Sequence, residues 1–245
     1  MYTAAAAAGE RRRHDVQDDL HRQAGEAFTK SGDMVGWADC QRDRGSRALI
    51  REQFEHARSL LLAALPIYES RGLYLGLAHT LNGLAEIDRT KGELEAAAAG
   101  YLKAKQCFDA VGAGQAVIPM LNLSLVHLDQ RQFLQAEKLL TDAIRRLTRQ
   151  GRRGFAAAAM TLLLCCLAHN GDWEEWDRTA HRAMTDLEHT GLISRDVAWS
   201  LELAAQLAHE AGEDARSAQA RRTARHQYRS LGDEAAVERL SKPPK

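Results

Sequence analysis

Small and apolar positions recur along this chain at helical spacing, and the whole block then recurs about every 40 residues. One helix turn is written five times: QFEHARSLLLAAL from Gln53, GELEAAAAGYLKA from Gly92, QFLQAEKLLTDAI from Gln132, GDWEEWDRTAHRAM from Gly171 and GEDARSAQARRTA from Gly212. Its anchor is Ala57, Ala97, Ala136, Trp176 and Ser217, at intervals of 40, 39, 40 and 41 residues. A period of this length predicts stacked supersecondary units rather than one closed core, because each unit hides its apolar face only against its neighbours.

Each unit reads as two helices. In the second, Leu77, Leu81, Leu84 and Ile87 fall on one helical face, and Leu94, Ala97, Tyr101, Ala104 and Phe108 on another, with Gly92 between them. In the third, Leu121, Leu123, Leu125 and Leu128 precede Phe133, Ala136, Leu140, Ala143 and Leu147. The pattern predicts units over about 34–72, 73–112, 115–151, 155–191 and 194–231. A lone helix over 15–30, with Val16, Leu20, Ala24 and Ala27 as its apolar face, precedes them, and a short capping helix over 234–240 follows. Together these make one helical body over 14–240, with an unstructured lead-in over 1–13 and a polar tail over 241–245. The anchor is small because paired helices approach closely only where one of them presents Ala, Gly or Ser. Trp176 breaks that rule: either the register slips there or the ring fills a splayed gap.

Composition narrows the class. Ala, Leu, Arg, Glu and Gln dominate, only four prolines occur and aromatics are 6%, so the chain reads as all-α. Basic and acidic residues balance at 33 each, which argues against a protein built around phosphate backbones. Cys40, Cys107, Cys165 and Cys166 form no CxxC pair and read as buried thiols of a reducing, cytoplasmic compartment. No run of 18 apolar residues is present, so no membrane span is expected. The histidines lack the i, i+4 spacing of a metal pair, no nucleophile has a positioned base, and phosphate-loop and kinase signatures are missing. No cofactor, metal or catalytic role is expected.

The layout resembles the tetratricopeptide repeat family, with Gly45, Ala85, Ser124, Leu164 and Ala205 at the small position of each first helix. The likeness covers about 34–231; the period exceeds the usual one, as in longer-helix variants of bacterial regulators, and the family's Trp and Pro positions are largely absent. It implies a right-handed superhelical solenoid of about five antiparallel helix hairpins, with the first helices lining a concave groove. Carried over by position, that groove holds His79, Asn82, Glu86 and Arg89, then Ile118, Leu121, Asn122, Leu125 and Leu128. Further along it holds Ala158, Thr161, Cys165 and His169, and then Trp199, Glu202, Gln206 and His209. Two readings of its middle stay open. Either Leu121, Leu125 and Leu128 face a ligand, or a tighter stack buries them.

A non-enzymatic module that binds a protein or peptide partner, as a scaffold or sensor in bacterial signalling, is the expected function. The alternative is a cis-regulatory region of a serine/threonine kinase or transcriptional regulator whose catalytic part lies outside this chain. A third reading is self-association through the N-terminal end. Two arginine clusters, Arg145, Arg146, Arg149, Arg152 and Arg153, and Arg221, Arg222, Arg225 and Arg229, read as solvated helix ends or as contacts for an acidic partner or phosphate. No aromatic interleaving accompanies them, so no nucleic-acid partner is expected.

Overall fold

A computed structural model describes residues 2–112 and 114–242, with side chains described from residue 16 onward. Among the described residues there are twelve α-helices, one short 3-10 turn over Gly114–Ala116 and no strands. The chain divides into two compact units, Met1–Pro119 and Met120–Lys245.

The first unit contains α1 (Tyr2–Ser31), α2 (Met34–Ile50), α3 (Phe54–Arg71), α4 (Tyr74–Thr90) and α5 (Leu94–Ala110). Helix α2 pairs with α3 and α4 with α5, while α3 and α2 both pack on α4, so two antiparallel hairpins stack on each other. Ala48, Ala57, Leu61, Leu84 and Ile87 form one core cluster across the stack, and Ala38, Ala64 and Tyr68 form another. Gly45 shows why the small position is small. A Cβ there would lie 2.8 Å from Leu61 Cγ, and Leu61 is itself fully buried.

The second unit contains most of α6 (Val117–Asp129), then α7 (Phe133–Arg149), α8 (Arg153–Asn170), α9 (Trp173–Thr190), α10 (Arg195–Glu210), α11 (Asp214–Ser230) and α12 (Glu234–Ser241). Helix α8 packs against α7, α9 and α10, and α11 against α10 and α12. The buried residues of α7 are Phe133, Ala136, Leu140, Ala143 and Leu147, the face expected from the pattern. Leu140 and Leu147 are fully buried, and each such side chain contributes about 1.5–3 kcal/mol.

All five anchors occupy the fourth position of their helix and are buried, Trp176 included. The register therefore does not slip at Trp176. Helix α9 packs on α8, whose buried residues include Ala156, Ala157 and Ala159, and the indole is enclosed in the core.

Helix α1 departs from expectation twice. Its backbone is helical from Tyr2, across most of the stretch expected as a lead-in; Ala4–Ala8 are the strongest helix formers available. Its apolar stripe also does not form the contact with α2. Val16 and Leu20 are 55% and 57% exposed, and Ala27 is exposed. The packed face is Asp18, His21, Gly25 and Phe28: Asp18 pairs with Arg44 at 3.1 Å and His21 with Asp43 at 3.8 Å. Both stripes have helical spacing, and polar pairing selects the less apolar one. Of the expected polar tail, 243–245 lie outside the described residues.

Helix α8 also qualifies the membrane expectation. By length and composition alone it is apolar enough to cross a bilayer, yet 61% of that window is buried inside the structure. A helix hydrophobic on most sides is what a position enclosed by three neighbours requires.

Candidate functional site

Three hairpins carry the same device on the first-helix side: a tyrosine from the second helix donates its hydroxyl to a carboxylate of the first, and an arginine holds that carboxylate. Tyr68 Oη donates to Asp39 at 2.7 Å, and Arg42 donates to the same oxygen at 2.7 Å. Tyr101 Oη donates to Glu86 at 2.5 Å, with Arg89 on the other oxygen at 2.6 Å. Tyr228 Oη donates to Glu202 at 3.0 Å, and Arg239 grips that carboxylate through Nε at 2.9 Å and Nη2 at 2.8 Å. A buried phenol needs an acceptor, and a carboxylate half out of water needs donors. Burial is the first cause that raises all three phenol pKa values well above the ordinary value, and the adjacent carboxylate adds to it. Packing at the first of these is close: a Cβ at Gly76 would sit 2.3 Å from the Tyr68 ring, so only glycine lets α4 start there.

Glu86, Arg89 and Glu202 are thus committed to intramolecular pairs. In the first unit the remaining expected groove residues are half-buried. His79 meets Phe108 edge-on at 4.9 Å between ring centres. Burial, and then the Arg42 charge, lower its pKa, against a smaller opposing effect of Asp43. Asn82 and Ile118 are also partly covered.

In the second unit the structure brings Trp199, Glu202 and Gln206 together. They line an open cleft of about 360 Å³ with Arg131, Leu203 and Arg239, and Leu128 stands in its wall. Trp199 is half-buried and Gln206 exposed, its amide donating to Glu210 at 2.8 Å. Arg131 is the unusual member. Its φ is +57°, in the left-handed region. The turn inside each hairpin has one such residue: Glu52, Gly92, Arg131, Gly171 and Gly212. Three of the five are glycine, which adopts this conformation freely, whereas an L side chain costs roughly 1–2 kcal/mol. The Arg131 guanidinium makes no hydrogen bond or ion pair among the described residues.

Several expected groove residues lie elsewhere. Leu125 is 4% exposed and Leu128, in the wall of the Trp199 cleft, is fully buried, as the tighter arrangement expects, whereas Leu121 and Asn122 are half-buried. Thr161 and Cys165 are buried at the α8–α10 contact. The Thr161 hydroxyl donates to the Ala158 carbonyl at 2.7 Å and accepts from Ser200 at 3.0 Å, and the Cys165 thiol donates to the Ser200 carbonyl at 3.2 Å. Residues four apart share a face, and here that face meets the next first helix. Ala158 is half-buried on the same helix. His169 stacks on Phe133 at 4.2 Å, and His209 pairs with Asp214 at 2.8 Å, away from Trp199. The residues missed from sequence are Arg131, Tyr228 and Arg239. Arg131 had a signal, since it stands where three of the four other repeats place glycine.

No protein-family model matches the chain, and no curated protein matches it. Solved structures do. BtubC from P. vanneervenii is similar over 89% of this chain and 92% of its own, at 16% identity and a TM-score of 0.62. A Rap protein complexed with Competence and Sporulation Factor is similar over 98% and 71%, at 12% identity and a TM-score of 0.65. The signal transduction ATPase with a tetratricopeptide repeat sensor from Pyrococcus horikoshii is similar over 93% of this chain and 38% of its own, at 17% identity and a TM-score of 0.67. The fold is that of the tetratricopeptide-like helical repeats.

Proposed function

We propose that the chain is a protein-interaction module, without chemistry of its own, that acts in the cytoplasm as a scaffold or sensor. The cleft beside Trp199 receives an anchor side chain and the adjoining backbone of a partner peptide or helix. The observation that carries this is Arg131: an arginine held in a left-handed turn, where three of the four sister hairpins use glycine, with its guanidinium unpaired at the cleft. Strain of this kind at an open site points to a role for the side chain that bears it. Trp199 supplies apolar area, Gln206 an exposed amide, and Arg239 is oriented by Glu202. A volume of about 360 Å³ suits one or two anchoring side chains rather than a whole ligand, as expected for a hot spot within a longer interface. Structural likeness supports the reading at the level of the fold. One similar protein was solved in complex with Competence and Sporulation Factor, and another carries the fold as a sensor within a longer ATPase. The second of these favours a further reading, in which this chain regulates a catalytic domain in cis.

The test is a peptide-array screen with the purified chain, repeated with Trp199→Ala. Binders that need the cleft lose at least about tenfold in affinity while the circular dichroism spectrum is retained. Undiminished binding by the folded variant contradicts the placement.

A further inference from the structure

The last long helix carries a second surface that the Trp199 cleft does not use. Asp214, Ser217, Ala218, Arg221, Arg222 and Arg225 stand at i, i+3, i+4, i+7, i+8 and i+11 on α11, along one helical face. With Leu240 and Lys242 beside α12, this row lines an open cleft of about 490 Å³. Some of its members are already engaged. Arg221 donates to the carbonyl oxygens of Leu240, at 2.8 Å, and Lys242, which ties the end of α12 down. Asp214, the lining carboxylate, pairs with His209 at 2.8 Å. Arg222 and Arg225 have no side-chain partner among the described residues, and Arg225 Nε is buried without an acceptor. Lys242 reaches Glu238 at 3.1 Å in a fully solvated pair that holds it weakly. The chain as a whole has zero formal charge, so this concentration of unspent cations is local.

We propose that this cleft binds an acidic peptide segment. Guanidinium groups fork onto carboxylates in two-point contacts, and Arg222 and Arg225, three residues apart on a helix, start from Cβ atoms about 5–6 Å apart. Alternate side chains of an extended peptide repeat at about 6.7 Å, so Glu-x-Glu matches the pair. Ala218 and Leu240 give the peptide an apolar floor. The lining contains no Phe, Tyr or Trp, and its one ring, the His209 imidazole, is tied to Asp214, so it lacks the row of stacking platforms of a single-strand nucleic-acid groove.

The experiment is fluorescence anisotropy with the whole chain and a capped, fluorescein-labelled Glu-Ala-Glu-Ala-Glu peptide at low and moderate salt. Inorganic phosphate and an oligothymidine serve as competitors. The wild type binds the peptide with an affinity that falls as salt rises, and Arg222→Ala/Arg225→Ala weakens it at least about tenfold. Because Arg225 is partly buried, a second variant, Arg222→Glu/Lys242→Glu, changes exposed positions alone; it loses the acidic peptide and gains affinity for Lys-Ala-Lys-Ala-Lys. Arg131→Gly leaves the acidic peptide bound, which separates this surface from the Trp199 cleft. The proposal fails if the charge-reversed variant binds the acidic peptide as the wild type does. It also fails if oligothymidine or phosphate displaces the peptide better than unlabelled peptide does.

Discussion

Replacing Arg131 by glycine separates stability from binding at one residue. In the folded chain Arg131 has φ +57°, a conformation that costs an L side chain roughly 1–2 kcal/mol and glycine almost nothing. Against this gain, glycine has more conformational entropy to lose on folding, worth about 0.4–1 kcal/mol. The balance is a stabilisation of about 0.5–1 kcal/mol, or about 1–4 °C in Tm for a chain of this size. Glu52 has the same φ at the equivalent turn of the first unit and does not line the Trp199 cleft, so Glu52→Gly is the matched control. Both variants melt higher than the wild type. Only Arg131→Gly loses affinity for cleft-binding peptides, by about 5–30-fold, the effect of removing about 1–2 kcal/mol of arginine contact. Arg131→Ala completes the set: it loses binding without the gain in Tm. Differential scanning calorimetry and peptide titration read both quantities from one preparation. If Arg131→Gly melts higher but binds every cleft peptide as the wild type does, the strained arginine has no role in recognition. If it melts lower, the turn geometry is wrong.

Three further outcomes follow from burial. Leu125→Ala lowers the unfolding free energy by about 2–5 kcal/mol in a urea titration, the cost of a cavity at a site 4% exposed, where a groove residue would show little change. Folding stability falls as pH rises above about 10. There the unfolded chain releases its phenolic protons while buried Tyr101, whose pKa burial has raised, keeps its own. Below pH 10 both states hold the proton and the contribution is fully present. Tyr101→Phe therefore removes up to about 1.4 kcal/mol per pH unit from the alkaline slope of the unfolding free energy, read from urea titrations. Ellman's reagent at pH 8 leaves Cys165 and Cys166 unmodified until denaturant is added, since both are buried and desolvation pushes the Cys166 thiol up to about 12; rapid native labelling of Cys165 would place the α8–α10 contact elsewhere.

The period and the helix faces were legible because they are properties of spacing. A residue that recurs every 40 positions and occupies the fourth place of a helix announces its role even when it is Trp176. The α7 face was legible for the same reason, with apolar and polar positions cleanly segregated. Depth was not legible. Position in a first helix carried Leu125, Thr161 and Cys165 to a groove, whereas their exposure depends on how closely α8 meets α10, which rests on Ser200 donating its hydroxyl to Thr161 and accepting the Cys165 thiol at its carbonyl. On α1 two stripes of equal period competed, and the ion pair between Asp18 and Arg44 marks the winner, information held in a different helix. Backbone conformation at Arg131 was invisible in its side-chain type, and only the glycines at sister positions hint at it. Of the candidate site, Trp199, Glu202 and Gln206 came from sequence, while the tyrosine and arginine that complete it arrive from α11 and α12.

The most direct measurement is hydrogen–deuterium exchange, read by mass spectrometry, with and without a saturating peptide selected on the array. Engagement of the Trp199 cleft slows exchange over α10 from Val197 to Gln206 and in the turn at 129–133, and the Arg131→Gly variant loses that protection. Protection confined to α1, or to the first unit, with α10 and the turn unchanged, contradicts the account.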